Sequence, residues 1–288
     1  MFRFLIVCLL SAEATVPFIL KCGYVRKPFQ GRKTNGSEPM EAEEADSRSF
    51  PWTVLITERS KHEDTPLCVG SLITSGEVTK TYYVLTSATC IHSTKPAKLN
   101  VFYRELNKSA KVVYKKTKVE RILVPQVSSP STKYLGKNIG LLKLKVPIPM
   151  SEYSHVVCLP FEEDSIANAT CFVNYIHVGM PVRPKNISVY QIQPKPLDSM
   201  ECENDFVRQK PTKTICFSDS EEREGIIKRG APLVCKMMKR YTIFGLHDFQ
   251  ASANASMFTD VLQRLRFVRF LRNRAQQDGA ERVFITMD

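Results

Sequence analysis

From position 53 onward the chain is written in short apolar or β-branched runs, at 54–56, 67–73, 82–85, 101–103, 139–144, 172–178 and 243–246, each bounded by turn residues. Runs of this length and even spacing predict an all-β barrel or sandwich. The stretch 259–273 breaks the pattern, because Val261, Leu262, Leu265, Val268 and Leu271 recur every three or four residues without Gly or Pro. That is a helical period, so one helix is expected to close the domain. Residues 274–288 are mostly polar and read as a loose tail. Ahead of Pro51-Trp52, residues 15–49 carry basic (Arg26, Lys27, Arg32, Lys33) and acidic (Glu41, Glu43, Glu44) positions with little apolar periodicity. They are expected to run over the surface.

The extreme N-terminus differs again. Met1-Phe2-Arg3 supplies a positive start, residues 4–10 are apolar, and Ala12-Glu13-Ala14 forms an A-x-A pattern. This reads as a signal peptide over 1–14, the alternative being a buried N-terminal strand. No later stretch reaches the ~18 consecutive apolar residues of a membrane span, so no transmembrane segment is expected and the mature chain reads as secreted, extracellular and soluble. Removing the leader takes Cys8 with it and leaves eight of the nine cysteines, an even number that implies disulfides in an oxidising compartment. Asn35, Asn107, Asn168, Asn186 and Asn254 each begin an N-x-S/T sequon and are candidate glycosylation sites.

Composition narrows the class. With 288 residues, 43% hydrophobic and 24% charged, the chain can bury one large core or two modest ones, and it is neither disordered, repetitive, collagenous nor a coiled coil. Lys plus Arg number 41 against 29 acids, a formal charge of +12 that favours acidic proteins, sulfated glycans or anionic lipid as partners. The densest basic run is Lys108, Lys111, Lys115, Lys116, Lys118 and Arg121, a candidate polyanion site whose plainer reading is a solvated strand and loop. The closing helix adds Arg264, Arg266, Arg269 and Arg272, which are not confined to one stripe, and cations near a helix C-terminus also offset its dipole. His62, His92, His155, His177 and His247 are scattered without metal-ligand spacing, and no phosphate loop or dinucleotide fingerprint occurs. Neither metal, cofactor nor nucleic-acid partner is expected.

Five blocks then appear in order: Cys68-Val69-Gly70-Ser71-Leu72-Ile73, Val84-Leu85-Thr86-Ser87-Ala88-Thr89-Cys90, Asn138-Ile139-Gly140-Leu141-Leu142-Lys143-Leu144, Val157-Cys158-Leu159-Pro160 and Gly230-Ala231-Pro232-Leu233-Val234-Cys235. Together they resemble the chymotrypsin/trypsin-like serine proteases, over about 39–273. The resemblance implies two six-stranded antiparallel β-barrels with a C-terminal α-helix and a cleft between them. Residues 15–38 would be a light-chain-like segment tethered through Cys22, and 274–288 a tail. It also implies the pairs Cys22 with Cys158, Cys68 with Cys90, Cys171 with Cys235, and Cys202 with Cys216. In the chain-entropy model the loops closed by Cys68 and by Cys202 are each worth roughly 3 kcal/mol.

The same alignment leaves the catalytic roles empty. The histidine of the family's A-H-C is Thr89, whose hydroxyl is no base near neutral pH, and His92 lies beyond the cysteine, where it reads as an exposed loop histidine. The aspartate of D-I-A-L-L-K-L is Asn138, and no aspartate occurs between Asp64 and Asp164 to replace it. G-D-S-G-G-P becomes Ile227-Lys228-Arg229-Gly230-Ala231-Pro232, with Arg229 in the nucleophile's place and Ile227 at the glycine whose N–H faces the oxyanion. Loss of a triad costs on the order of 10⁶ in turnover in a serine protease with the same catalytic residues.

The activation and substrate-binding positions have changed as well. Pro39-Met40 stands where an activation cut would free I-V-G-G, and Lys228 replaces the aspartate that pairs with the freed amine. Arg223 and Gly225 alter the specificity pocket, and the substrate-pairing S-W-G reads Asp248-Phe249-Gln250, which places side chains in the cleft. The expectation is a secreted inactive homologue acting as a protein-binding or regulatory module towards an extracellular protein. The alternatives are a heparin-like glycan binder and a residual or unconventional endopeptidase.

Overall fold

The computed structural model describes residues 22–25, 43–61, 63–77, 79–126, 137–197, 214–219, 224–252, 255–277 and 282–285, the last four as backbone. The expected leader, most of the 15–38 segment, Asn35, Cys202, Arg223 and Asn254 lie outside these residues.

The first half contains β1 (Glu43–Glu44), β2 (Thr53–Arg59), β3 (Asp64–Ile73), β4 (Lys80–Thr86), the short helix α1 (Ala88–Ile91), β5 (Leu99–Leu106), β6 (Val112–Pro125) and β7 (Gly140–Pro149). Strands β6-β5-β2-β3-β4-β7 are hydrogen-bonded in that order, and β6 pairs back onto β7, which closes a six-stranded barrel. The second half contains β8 (Cys171–Val178), β9 (Ile187–Ile192), β10 (Thr214–Ser218), β11 (Ile226–Ile227), β12 (Pro232–Met237), β13 (Arg240–Ser252) and β14 (Ala255–Asp260), then α2 (Leu265–Gln276) and β15 (Arg282–Ile285). Its antiparallel sheet runs β1-β9-β8-β12-β13-β14-β10, with β11 added on β8. A closed six-stranded barrel, a second sheet of eight strands and a C-terminal helix are consistent with the two-barrel fold that the resemblance implied.

The runs are continuously apolar, without a polar face, because the first barrel is buried from two sides. In β2 every residue from Thr53 to Thr57 is buried; Val54 and Ile56 enter the barrel's own core, while Leu55 joins Val69 and Phe102 in the second half's core. A strand covered on both faces has no solvent-facing position to fill with polar residues. Phe50, Trp52, Phe172 and Tyr241 meet at ring centroid separations of 5.6–6.1 Å and join the halves from the other side.

Three disulfides match the implied pairs: Cys22–Cys158, Cys68–Cys90 and Cys171–Cys235. Cys216 is disulfide-bonded as well.

Two expectations are corrected. The helix does not begin at 259: residues 255–260 are all buried in β14, paired on both edges, and a turn in which the Asp260 carboxylate accepts from the Gln263 N–H at 3.0 Å precedes α2. Nor are the described residues of the 274–288 segment a loose tail. The helix continues to Gln276, and Arg282–Ile285 pairs in parallel with Ile122–Pro125 of β6. A β-branched and aromatic tetrapeptide, Arg-Val-Phe-Ile, is well suited to extending a sheet edge.

Arg104 on β5, 2% exposed, donates to the carbonyls of Ser47, Ser49 and Phe50 at 2.9, 3.1 and 2.5 Å and so fixes the segment leading into β2. Replacing it by methionine leaves those carbonyls without their donors. Arg104→Met should therefore lower unfolding stability by about 2–4 kcal/mol, read by urea denaturation with disulfides intact; a change within about 0.5 kcal/mol contradicts this assignment.

Candidate functional site

The ends of four elements converge where the two halves face each other. Strand β4 pairs with β7 in a register that sets Thr86 opposite Gly140, which brings Thr89 of α1 beside Asn138. Arg229 lies between β11 and β12, its carbonyl held by the Val69 N–H at 2.9 Å. Gly230 follows with φ +76°, and a Cβ there would stand 2.5 Å from the Val69 carbonyl and 2.6 Å from Thr86 Oγ1. Only glycine fits that turn. Asp248 comes from β13, at a bulge between His247 and Phe249.

The structure brings Thr89 and Asn138 together and adds Asp248. The Thr89 N–H donates to Asn138 Oδ1 (2.8 Å), and Asn138 Nδ2 donates to Thr89 Oγ1 (3.2 Å) and to Asp248 Oδ1. Asp248 Oδ2 accepts from Thr259 Oγ1 at 3.2 Å, and Ser87 Oγ meets Thr89 Oγ1 at 2.7 Å. Asn138 is 1% exposed, so its amide is committed to this chain of bonds. Burial raises the Asp248 carboxyl to about 6, against the lowering effect of the Asn138 and Thr259 donors and the Arg229 charge. Arg229 itself is exposed. His92 Nδ1 donates to the Thr89 carbonyl, 3.1 Å away, which is a local contact within one helical turn.

A second buried cluster underlies the first. Lys228 Nζ meets Asp219 Oδ2 at 3.2 Å and donates to Gln250 Oε1 at 3.1 Å, with its charge 5.4 Å from the Tyr175 ring centroid. Tyr175 Oη donates to Asp219 Oδ1 and Ser256 Oγ to Asp219 Oδ2. With its hydrogen thus committed, Ser256 Oγ accepts from His247 Nε2–H at 3.0 Å. Burial lowers His247 to about 4.

Above both clusters lies a cleft of about 470 Å³. Leu67, Ile226, Ile227 and Phe249 form its apolar walls, and Arg229, Asp248 and Gln250 contribute polar groups. Ile227 is drawn into β11 opposite Ile176 of β8. Gln250 caps the Lys228 ammonium.

The basic run does not form one surface. In β6 the residues Thr117, Val119 and Arg121 face inward, between exposed Lys116, Lys118 and Glu120. Arg121, 4% exposed, donates to the carbonyls of Ala275 (3.4 Å) and Gln277 at the end of α2, so it does not belong to a polyanion site. Lys115 pairs with Glu105 and Lys116 with Asp64, both at 3.0 Å, while Lys108 and Lys111 are exposed at the β5–β6 turn. Of the sequon residues, Asn168 is exposed with φ +63°, Asn186 Nδ2 donates to the Pro181 carbonyl at 3.1 Å, and Asn107 Oδ1 accepts from the N–H groups of Ser109 and Lys111, both at 2.9 Å.

Comparison with family models matches Trypsin over residues 40–267. The chain therefore belongs to the trypsin family.

Two outcomes follow from the buried charges. With a folded value of about 6 against the ordinary 3.8, Asp248 is destabilising when ionised, fully so above about pH 6 and not at all below about pH 4. Asp248→Asn should be more stable than the parent at pH 8 by about 1–3 kcal/mol, with the difference vanishing by pH 4; His247, neutral in the fold and destabilising as pH falls from 6.5 towards 4, cancels in the comparison. Equal stability of the two proteins at pH 8 contradicts the raised carboxyl. For the ion pair, Lys228→Met leaves Asp219 buried and uncompensated and should cost about 3–5 kcal/mol, whereas Lys228→Met with Asp219→Leu should recover most of that loss. A double variant as unstable as the single one rules the explanation out.

Proposed function

We propose that this trypsin-family chain is a secreted protein that does not hydrolyse peptides and acts as a protein-binding or regulatory module. The observation that carries the reading is the hydrogen-bonded chain Thr89–Asn138–Asp248 with Arg229 beside it. Peptide hydrolysis by this fold needs a nucleophile, a base that takes its proton and an anion that orients the base. Thr89 offers a hydroxyl already bonded to Ser87 and Asn138, Asn138 a neutral amide, and Arg229 a permanent cation.

Asp248 is a carboxylate in the right neighbourhood, yet its oxygens accept from Asn138 and Thr259 rather than from an imidazole. His247 is buried and bonded to Ser256. Secretion is supported by the disulfides and by the leader-like N-terminus, and no helix among the described residues is long and apolar enough to cross a membrane. A heparin-like glycan receives less support than a protein ligand, because Lys115 and Lys116 already have acidic partners and Arg121 faces inward.

The purified, disulfide-intact protein, incubated with a broad peptide library and read by mass spectrometry, should produce no cleavage beyond the buffer control, and a serine-directed phosphonate should not label it. Stoichiometric labelling, or cleavage that survives repurification, overturns the reading in favour of an unconventional hydrolase.

A further inference from the structure

The cleft keeps a defined shape and one uncommitted charge. Arg229 is exposed at its mouth on a backbone fixed by Val69 N–H to the Arg229 carbonyl and by Gly230 N–H to the His247 carbonyl at 3.0 Å. Its guanidinium makes no ion pair among the described residues, although it lies close enough to Asp248 and His247 to act on both electrostatically. The other cation of the cleft, Lys228, is turned inward to Asp219 and Gln250. Asp248 is held by Asn138 and Thr259. The outward charge is therefore that of Arg229, a planar fork of donors matched to a carboxylate.

We propose that this cleft binds an acidic peptide segment, seating one Asp or Glu side chain on Arg229 and a neighbouring apolar side chain against Leu67, Ile226, Ile227 and Phe249. This deepens the reading of the chain as a binding module and rests on it. The apolar contact is shallow, because Gln250 and the tethered Lys228 occupy the space below. A net charge of +12 speeds the approach of an acidic partner, and the fork at Arg229 selects within it.

Asp248 makes the interaction respond to pH. The groups around it are Asn138 from the segment before β7, Thr259 on β14, Thr89 behind Asn138, and Arg229; the Lys228–Asp219 pair beneath is internally compensated, and His247 stays neutral down to about pH 4. At pH 8 the Asp248 carboxylate partly offsets Arg229, whereas at pH 5 it is protonated while an ordinary ligand Glu remains largely ionised.

The test is selection from a library of short randomised peptides with amidated C-termini, so that only side-chain carboxylates are available, followed by fluorescence polarisation on the best binder. Selected peptides should carry Asp or Glu beside an apolar residue and bind more tightly at pH 5 than at pH 8, and Asp248→Asn should abolish that difference. Arg229→Ala should weaken binding about tenfold or more, and Arg229→Lys should restore part of it. Lys239→Ala, at the far turn of the β12–β13 hairpin with the same change in charge, should have no such effect. Melting curves confirm that each variant is folded. Selection without acids, equal losses in the Arg229 and Lys239 variants, or binding confined to peptides with a free C-terminal carboxylate overturns the proposal. Mass spectra of the same incubations report separately on the inactive reading, since cleaved peptides would overturn that reading whatever the affinities.

Discussion

The ion pair of Lys228 with Asp219 is the constraint around which the cleft is arranged. Lys228 is 9% exposed and the Asp219 side chain not at all, and removing such charges from water costs several kcal/mol per ion unless partners replace the solvent. Here Tyr175, Ser256 and Gln250 supply those bonds, and the Tyr175 ring lies against the ammonium. The consequence is geometric. Once Lys228 points inward, the Ala231 N–H to Lys228 carbonyl bond and the left-handed Gly230 turn leave Arg229 as the residue that faces out. One interaction fills the floor of the cleft from within and presents a cation at its mouth.

The upper cluster follows from amide chemistry at Asn138. An amide accepts through oxygen and donates through nitrogen, so Asn138 can take the Thr89 N–H and still give hydrogens to the Thr89 hydroxyl and to Asp248. A carboxylate at the same position could accept both but would stand beside Asp248 as a like charge. The carboxylate on β13 and the amide before β7 are thus mutually consistent, each requiring the other's chemistry. Such consistency explains a network that is ordered and buried.

The architecture was legible in the sequence because short apolar runs and cysteine positions are direct consequences of two cores and their cross-links. Strand β2 shows why: three consecutive apolar residues serve two cores at once. The misreadings have local causes. Val261 and Leu262, in the turn between β14 and α2, continue the apolar spacing of α2 backwards, so periodicity alone could not find the boundary, which is set by pairing of β14 with β10 and β13. Arg121 was grouped with the lysines by composition, although the period of two through Thr117 and Val119 places it inside. At the site, the resemblance points to Thr89, Asn138 and Arg229, whereas the Asp248 contact and the pairing of Lys228 with Asp219 join residues 110 and 9 positions apart that no local pattern links.

Charge ties these observations together. A formal +12 would act as a diffuse field if every cation were equivalent, yet the structure sorts them. Lys115, Lys116 and Lys143 are paired with surface acids, contacts worth at most about 1 kcal/mol that nonetheless spend their charge locally. Arg104 and Arg121 are turned inward to carbonyls and act as clamps on the backbone, and Lys228 serves Asp219. Arg229 differs from all of these: exposed, fixed at its backbone, bordered by apolar walls and without an ion-pair partner among the described residues. The long-range field brings anions to the surface in general, while the recognition of one carboxylate requires a positioned fork in a partly desolvated cleft, and Arg229 offers that combination.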